Sequence, residues 1–190
     1  MKNMKKMKKM KKKKVLRRLR RCLHPPVMCR LDMTCLPYAL YTFPLRVTDK
    51  FLLAAVEDDF LLDGWCIRRV KQVRHAEVYD NKFLDIERAE GLVDRIAMPP
   101  VNLSDWRQIF LSLRSMNRLI IIEHESLRDD ECDFYMGRVE DIKKHSVLFR
   151  CVNTDATWDD EPIRIAFRDI TSVSFGSRYI EVFSKYVPKY

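Results

Sequence analysis

Glycine is scarce in this chain: Gly64, Gly91, Gly137 and Gly176 are all there is in 190 residues. None stands beside another, so no glycine-rich loop can cradle a phosphate, and nucleotide hydrolysis on such a loop is not expected. Long apolar runs are missing too. None approaches the roughly eighteen residues of a bilayer-crossing helix, and the basic start leads into Val15, Leu16 and more arginines rather than the apolar stretch of a secretory signal. No membrane span is expected, and the expected compartment is the cytoplasm. The six cysteines, Cys22, Cys29, Cys35, Cys66, Cys132 and Cys151, contain no CxxC pair. Cys66 and Cys151 lie in apolar strand-like runs, where a thiol serves as a small hydrophobe. His24 with Cys22, Cys29 and Cys35 can be drawn as a zinc set, but the spacing is irregular, so neither metal nor cofactor is expected. No serine or cysteine sits at a nucleophile elbow to partner His75, His124 or His145.

Acid is absent from the start of the chain, where none precedes Asp32, and thirteen Lys and Arg fall between Lys2 and Arg21. The net charge of +9 therefore misleads, because residues 22–190 hold 23 basic against 27 acidic side chains. Met1, Met4, Met7 and Met10 recur every third position, a step that drifts around a 3.6-residue helix and leaves no lasting stripe. A like-charged block of this kind is expected to stay disordered. Residues 22–44, broken by Pro25, Pro26, Pro37 and Pro44, read as an irregular lead-in. Lys, Asn and Met share A-rich codons, so an A-rich leader translated as protein would look like residues 1–21, and Met28 or Met33 is an alternative start.

From Leu45 the pattern changes. LRVTDKFLLAAVEDDF and GWCIRRVKQV read as strands divided by polar turns, with Trp65 and Ile67 on one face and Cys66 and Arg68 on the other. EVYDNKFLDIERAEGL then turns helical, with Gly91 placed as its C-terminal cap. Residues 45–98 are thus expected as a first small β module. In 99–116, Ser104 is a candidate N-cap, and Trp106, Ile109, Phe110, Leu113 and Met116 make one apolar face of a linking helix. Residues 117–190 are expected as a second module, with RLIIIEHE, FYMGRVEDI, SVLFRCVN, IRIAF and ITSVSF as five short strands closing into a barrel. Gly137 is the expected bend or bulge, Phe134, Phe149 and Phe167 the expected core, and RYIEVFSKY a capping helix.

The modules echo one another. GWCIRRVKQVRHAEVYDNKF and IRIAFRDITSVSFGSRYIEVF both run strand, tight step, short strand, helix, with Val70 and Val73 answered by Ile170 and Val173, and Tyr79 by Tyr179. DFLLDGW at 59–65, LSDWRQIF at 103–110, TWDDEP at 157–162 and ITSVSFGSRYI at 170–180 resemble a group of bacterial proteins built from two small SH3-like or Sm-like barrels. The resemblance covers about Leu45 to Tyr186 and leaves the basic leader unmatched. It implies a mainly β fold, two small barrels joined by an amphipathic helix, and it supplies no activity.

For function, the acids Asp58, Asp59, Asp129, Asp130, Glu131, Asp159, Asp160 and Glu161 fall in solvated, turn-like clusters, not in the unequal environments that acid–base catalysis requires. Trp158, flanked by Thr157 and Asp159, is either an anchor folded over the barrel or an exposed contact. The expectation is a non-enzymatic protein acting through contacts with a protein partner, the candidate contact residues being Trp158, Asp159, Asp160, Glu161, Asp129 and Asp130. Nucleic acid binding is the rival. The segment from Asn117 holds 11 basic against 14 acidic residues, so that rival is assigned to the leader, through salt-sensitive attraction to phosphate. A third reading has the acidic loops masking a basic partner, as immunity proteins do.

Overall fold

A computed structural model describes residues 9–127 and 132–189. The chain is mainly β, and its strands form one open, wholly antiparallel sheet of ten. In chain order they are β1 (Cys29–Met33), β2 (Ala39–Val47), β3 (Phe51–Asp58), β4 (Leu61–Arg69), β5 (Val73–Val78), β6 (Ile120–His124), β7 (Asp133–Ile142), β8 (Ser146–Cys151), β9 (Ile163–Ala166) and β10 (Ser172–Phe175). The helices are α1 (Lys12–Arg21), α2 (Lys82–Ala89), α3 (Trp106–Ser115) and α4 (Arg178–Phe183).

The strand order, β5-β1-β2-β3-β4-β10-β6-β7-β8-β9, overturns the expectation of two small closed barrels. Each half contributes five strands, and the order inside the first half recurs inside the second. The halves meet where β4 pairs with β10, Arg68 opposite Ser172 and Trp65 opposite Phe175. β10 also pairs with β6, so both its edges are used within one continuous sheet. Even the irregularities repeat. The register of β2 shifts between Pro44 and Arg46, and that of β7 between Val139 and Asp141. Gly137 therefore lies before the bulge rather than in it. Its bareness serves a close approach, because a Cβ there would strike the Arg150 carbonyl.

Two other glycines mark the seam. Gly64 (φ +73°) and Gly176 (φ +68°) take left-handed backbone, and a Cβ on Gly64 would come within 2.5 Å of Gly176 backbone. On Gly176 it would come within 2.6 Å of the Trp65 ring. Only glycine meets both demands, so the β4–β10 junction is written into two of the four glycines.

The lead-in is not irregular, since β1 and β2 begin inside 22–44 and Pro44 sits at the bulge of β2, where a strand tolerates a missing N–H. Nor is the basic segment all appendage. A ten-residue helix of lysines and arginines has little stability alone, but Val15, Leu16 and Leu19 of α1 are buried, each worth about 1.5–3 kcal/mol. Arg18, Arg20 and Arg21 lie in the last turn, where cations suit the helix dipole.

α3 forms over the expected face, Trp106, Ile109, Phe110 and Leu113 all being buried, but its N-cap is Asp105, which accepts from the Gln108 N–H at 2.9 Å, not Ser104. It does not link separate modules. Trp106 packs edge-on to Phe51 of β3, Phe110 stacks on Phe167, and the Arg69 guanidinium lies 5.2 Å from the Trp106 ring. α3 thus spans the two halves over one face of the sheet, and a single apolar core runs from Val15 to Phe175. A smaller cluster, with Leu119, Met136, Val152 and Ile180, lies under α4.

Candidate docking site at the seam

Strand alternation sends Ile67, Val173 and Ile122 into the core, so the neighbouring Cys66 and Arg68, Ser172 and Ser174, Ile121 and Glu123 face the other side of the seam. Arg68 is only 5% exposed. Its guanidinium donates to both oxygens of the equally buried Glu125, at 2.8 and 3.0 Å, a bidentate pair that neutralises both charges away from water. The Cys35 thiol donates to the same carboxylate at 3.3 Å. The Glu125 N–H donates to the Thr171 hydroxyl, which donates to the Glu123 carbonyl, each at 3.0 Å. Segments far apart in sequence are thereby tied together at one point.

Glu123 lies farther from Arg68, at 4.0 Å. Burial, then the charge of Glu125, raises its carboxyl above the ordinary range. Burial pushes the Cys35 thiol up to about 12 and the Cys151 thiol up to about 11, and raises that of Cys66. These sulfurs keep their protons at neutral pH, which disfavours thiolate chemistry at them.

Over the seam lies a cleft of about 490 Å3, bordered by Leu40 and Val56 from the first half and by Ile121, Glu123, Phe134 and Tyr179 from the second. Phe134 and Tyr179 lie 49% and 47% exposed, meeting edge-to-face at 6.1 Å. Both also border a second cleft of about 340 Å3, with Met136, Cys151, Asp159 and Ile163. The two rings are thus a ridge between two hollows. Tyr179 is held by its position in α4, whose Ser177 caps Ile180 and whose Arg178 N–H donates to Asp63 at 2.6 Å.

The residues expected from sequence to make contacts stand nearby. Trp158 is half-buried against the cluster under α4, its indole N–H donates to the Pro188 carbonyl at 2.9 Å, and the Arg138 guanidinium lies 5.1 Å from its ring. Asp159 and Asp160 use their carbonyls to accept from Arg150 at 2.8 and 2.6 Å. Asp159 borders the second cleft, while Asp160 and Glu161 are exposed. Asp129 and Asp130 lie outside the described residues. Trp158 borders a third cleft, of about 750 Å3, with Arg118, Arg138, Lys185, Lys189 and Glu181. Sequence reading missed Arg68, Glu123, Glu125, Phe134 and Tyr179 as a group. It placed Phe134 in the core with Phe149; Phe149 is fully buried and Phe134 is not. The signals are Arg68 on the same strand face as Cys66 of the apolar run and the Glu-His-Glu at the end of β6.

Among the described residues, no group of three or more His, Cys, Asp or Glu is placed to hold a metal ion. Cys35, one corner of the zinc set drawn from sequence, is engaged with Glu125. No helix among the described residues is long and apolar enough to cross a membrane. No family model, curated protein or solved structure matches this chain.

Proposed function

We propose that this chain is a non-catalytic protein-binding module that takes a polypeptide segment across the Phe134–Tyr179 ridge. The observation that carries this reading is the pair of half-exposed rings standing between two clefts. Exposed aromatic rings beside hollows are the usual anchors of protein contacts, because each offers much apolar area at little entropic cost. Glu123 in one cleft and Asp159 in the other favour a segment with a bulky apolar side chain flanked by Lys or Arg. Six free thiols, five of them buried, fit a reducing compartment such as the cytoplasm.

The test is fluorescence anisotropy with peptides bearing one bulky apolar residue between basic residues, against matched peptides with acidic flanks. Binding of the basic set, weakened about tenfold or more by Phe134→Ala with Tyr179→Ala, is the expected result. Equal binding of both sets, or binding indifferent to the two rings, overturns the reading.

One observation favours a second reading, binding of single-stranded nucleic acid: four cations and one acid surround Trp158 in the largest of the three clefts. On that reading a mixed-sequence RNA binds in a salt-dependent manner, and Arg138→Ala and Lys185→Ala weaken it while Phe134→Ala does not.

A further inference from the structure

The last strand of each half has a different neighbour on its outer side. On β10 that neighbour is β4, in register over four residues. On β5, whose one strand partner among the described residues is β1, it is the segment leading into and along α1. The outward carbonyl of Arg74 accepts the Met10 N–H at 2.8 Å, and that of Ala76 accepts the Arg18 guanidinium at 2.6 Å. Arg18 also donates to Nε2 of His75 at 3.3 Å. Val15, Leu16 and Leu19 hold the helix in this seat. An edge strand exposes backbone groups that template pairing with another chain, and here Met10, just before α1, and Arg18 within it satisfy one each.

Among the described residues the opposite edge carries no helix; the Asp169 N–H turns back onto the outward Ala166 carbonyl at 3.0 Å, and the outward groups of Arg164 carry no such cover. β9 holds in the second half the place that β4 holds in the first, and pairs only with β8. The Phe167 N–H donates to the His145 carbonyl at 2.9 Å, so by alternation Ile163 and Ile165 bond inward while the N–H groups of Arg164 and Ala166 point outward. One end of the sheet is thus an open counterpart of β4, and the other a capped counterpart of β10.

We propose that α1 is an edge cap whose displacement lets β5 accept β9 of a second copy of this chain, antiparallel, repeating between chains the junction that β4 and β10 make within one. Such a contact joins unlike surfaces, so copies add head to tail, and they close into a ring or grow as a filament according to the rotation per step.

The experiment is sedimentation velocity of the full chain from micromolar to several hundred micromolar. The double variant Val15→Asp with Leu19→Asp undocks α1, and circular dichroism checks that the sheet is kept. The parent is expected to stay monomeric and the undocked chain to associate with at least about tenfold higher affinity. Adding Arg164→Pro, which removes an outward N–H and spares the bonds to β8, should return it to monomer. An undocked chain that stays monomeric overturns the proposal, as does association indifferent to Arg164→Pro, or a parent that already associates through β9. Should the double variant lose its sheet, Arg18→Ala, which keeps the apolar seat, carries the test: association reversed by Arg164→Pro is expected, and a monomer at the highest concentration overturns it.

Discussion

β5 and β10 occupy the same place in their two halves, follow the same φ-x-x-φ step and lead into helices that begin near Tyr79 and Tyr179. One of them ends the sheet and the other lies in its middle. β10 is flanked by polar side chains gathered into a buried cluster, Arg68 with Glu125 and Thr171, whereas β5 is closed by a helix of opposite character, apolar beneath and cationic above. The difference teaches that equal strand order does not settle which edges meet. Backbone groups on any strand edge are chemically alike, and what selects a partner is the side chains and glycines around the edge.

The strongest way to break the comparison is to spoil the seam's ion pair. Glu125→Leu takes from buried Arg68 its bidentate partner and leaves only Glu123 at 4.0 Å, and is expected to cost about 3 kcal/mol in urea unfolding, while Arg68→Met with Glu125→Leu recovers most of it. Equal losses in the single and double variants would show that the charges themselves are not what matters there. Gly176→Ala attacks the same junction through the backbone, combining left-handed geometry with a contact against Trp65, and should cost about 3 kcal/mol. A loss within about 0.5 kcal/mol would mean that the two halves can slide apart cheaply.

A smaller effect separates the helices that follow β5 and β10. Counting four residues on from Phe83 and Phe183, the first half buries Glu87 where the second has Val187. Glu87 is fully buried with neither carboxylate oxygen bonded, and burial, then the charge of Glu57, raises its carboxyl from 4.5 to about 7. The native state therefore holds a proton that the unfolded chain releases, so stability should fall as pH climbs from about 4.5 to about 7 and then level off. Glu87→Gln should flatten that decline and add about 2–3 kcal/mol at pH 8, with little change at pH 4; a parallel pH profile for the variant would refute this. The smallest expected effect is that of Arg164→Pro alone on the capped chain, within about 0.5 kcal/mol of the parent. A larger loss would mean that the outward N–H is engaged.

Much of this was legible beforehand. The second half's strands, α3 and α2 stand close to where alternation and helical spacing put them, and Trp158 proved to be partly an anchor. Thirteen cations between Lys2 and Arg21 mask α1 in the sequence, although Val15, Leu16 and Leu19 already make a short helical stripe. β1 and β2 were hidden by prolines that the fold places in connecting segments and at a bulge. Phe134 reads as core with Phe149 and Phe167, but it stands near the start of β7, where the strand runs out to the ridge.

By itself the sequence determined the elements, through periodicities that depend on residues three or four apart in helices and two apart in strands, and it put glycine at the close approaches of positions 64, 137 and 176. Tertiary structure alone decided that the ten strands share one sheet, that Arg68 meets Glu125 across 57 positions, and that α1 covers an edge. Those pairings join groups far apart in the chain, where loop closure costs entropy and many partners are locally equivalent. Only the simultaneous packing of the whole core chooses among them.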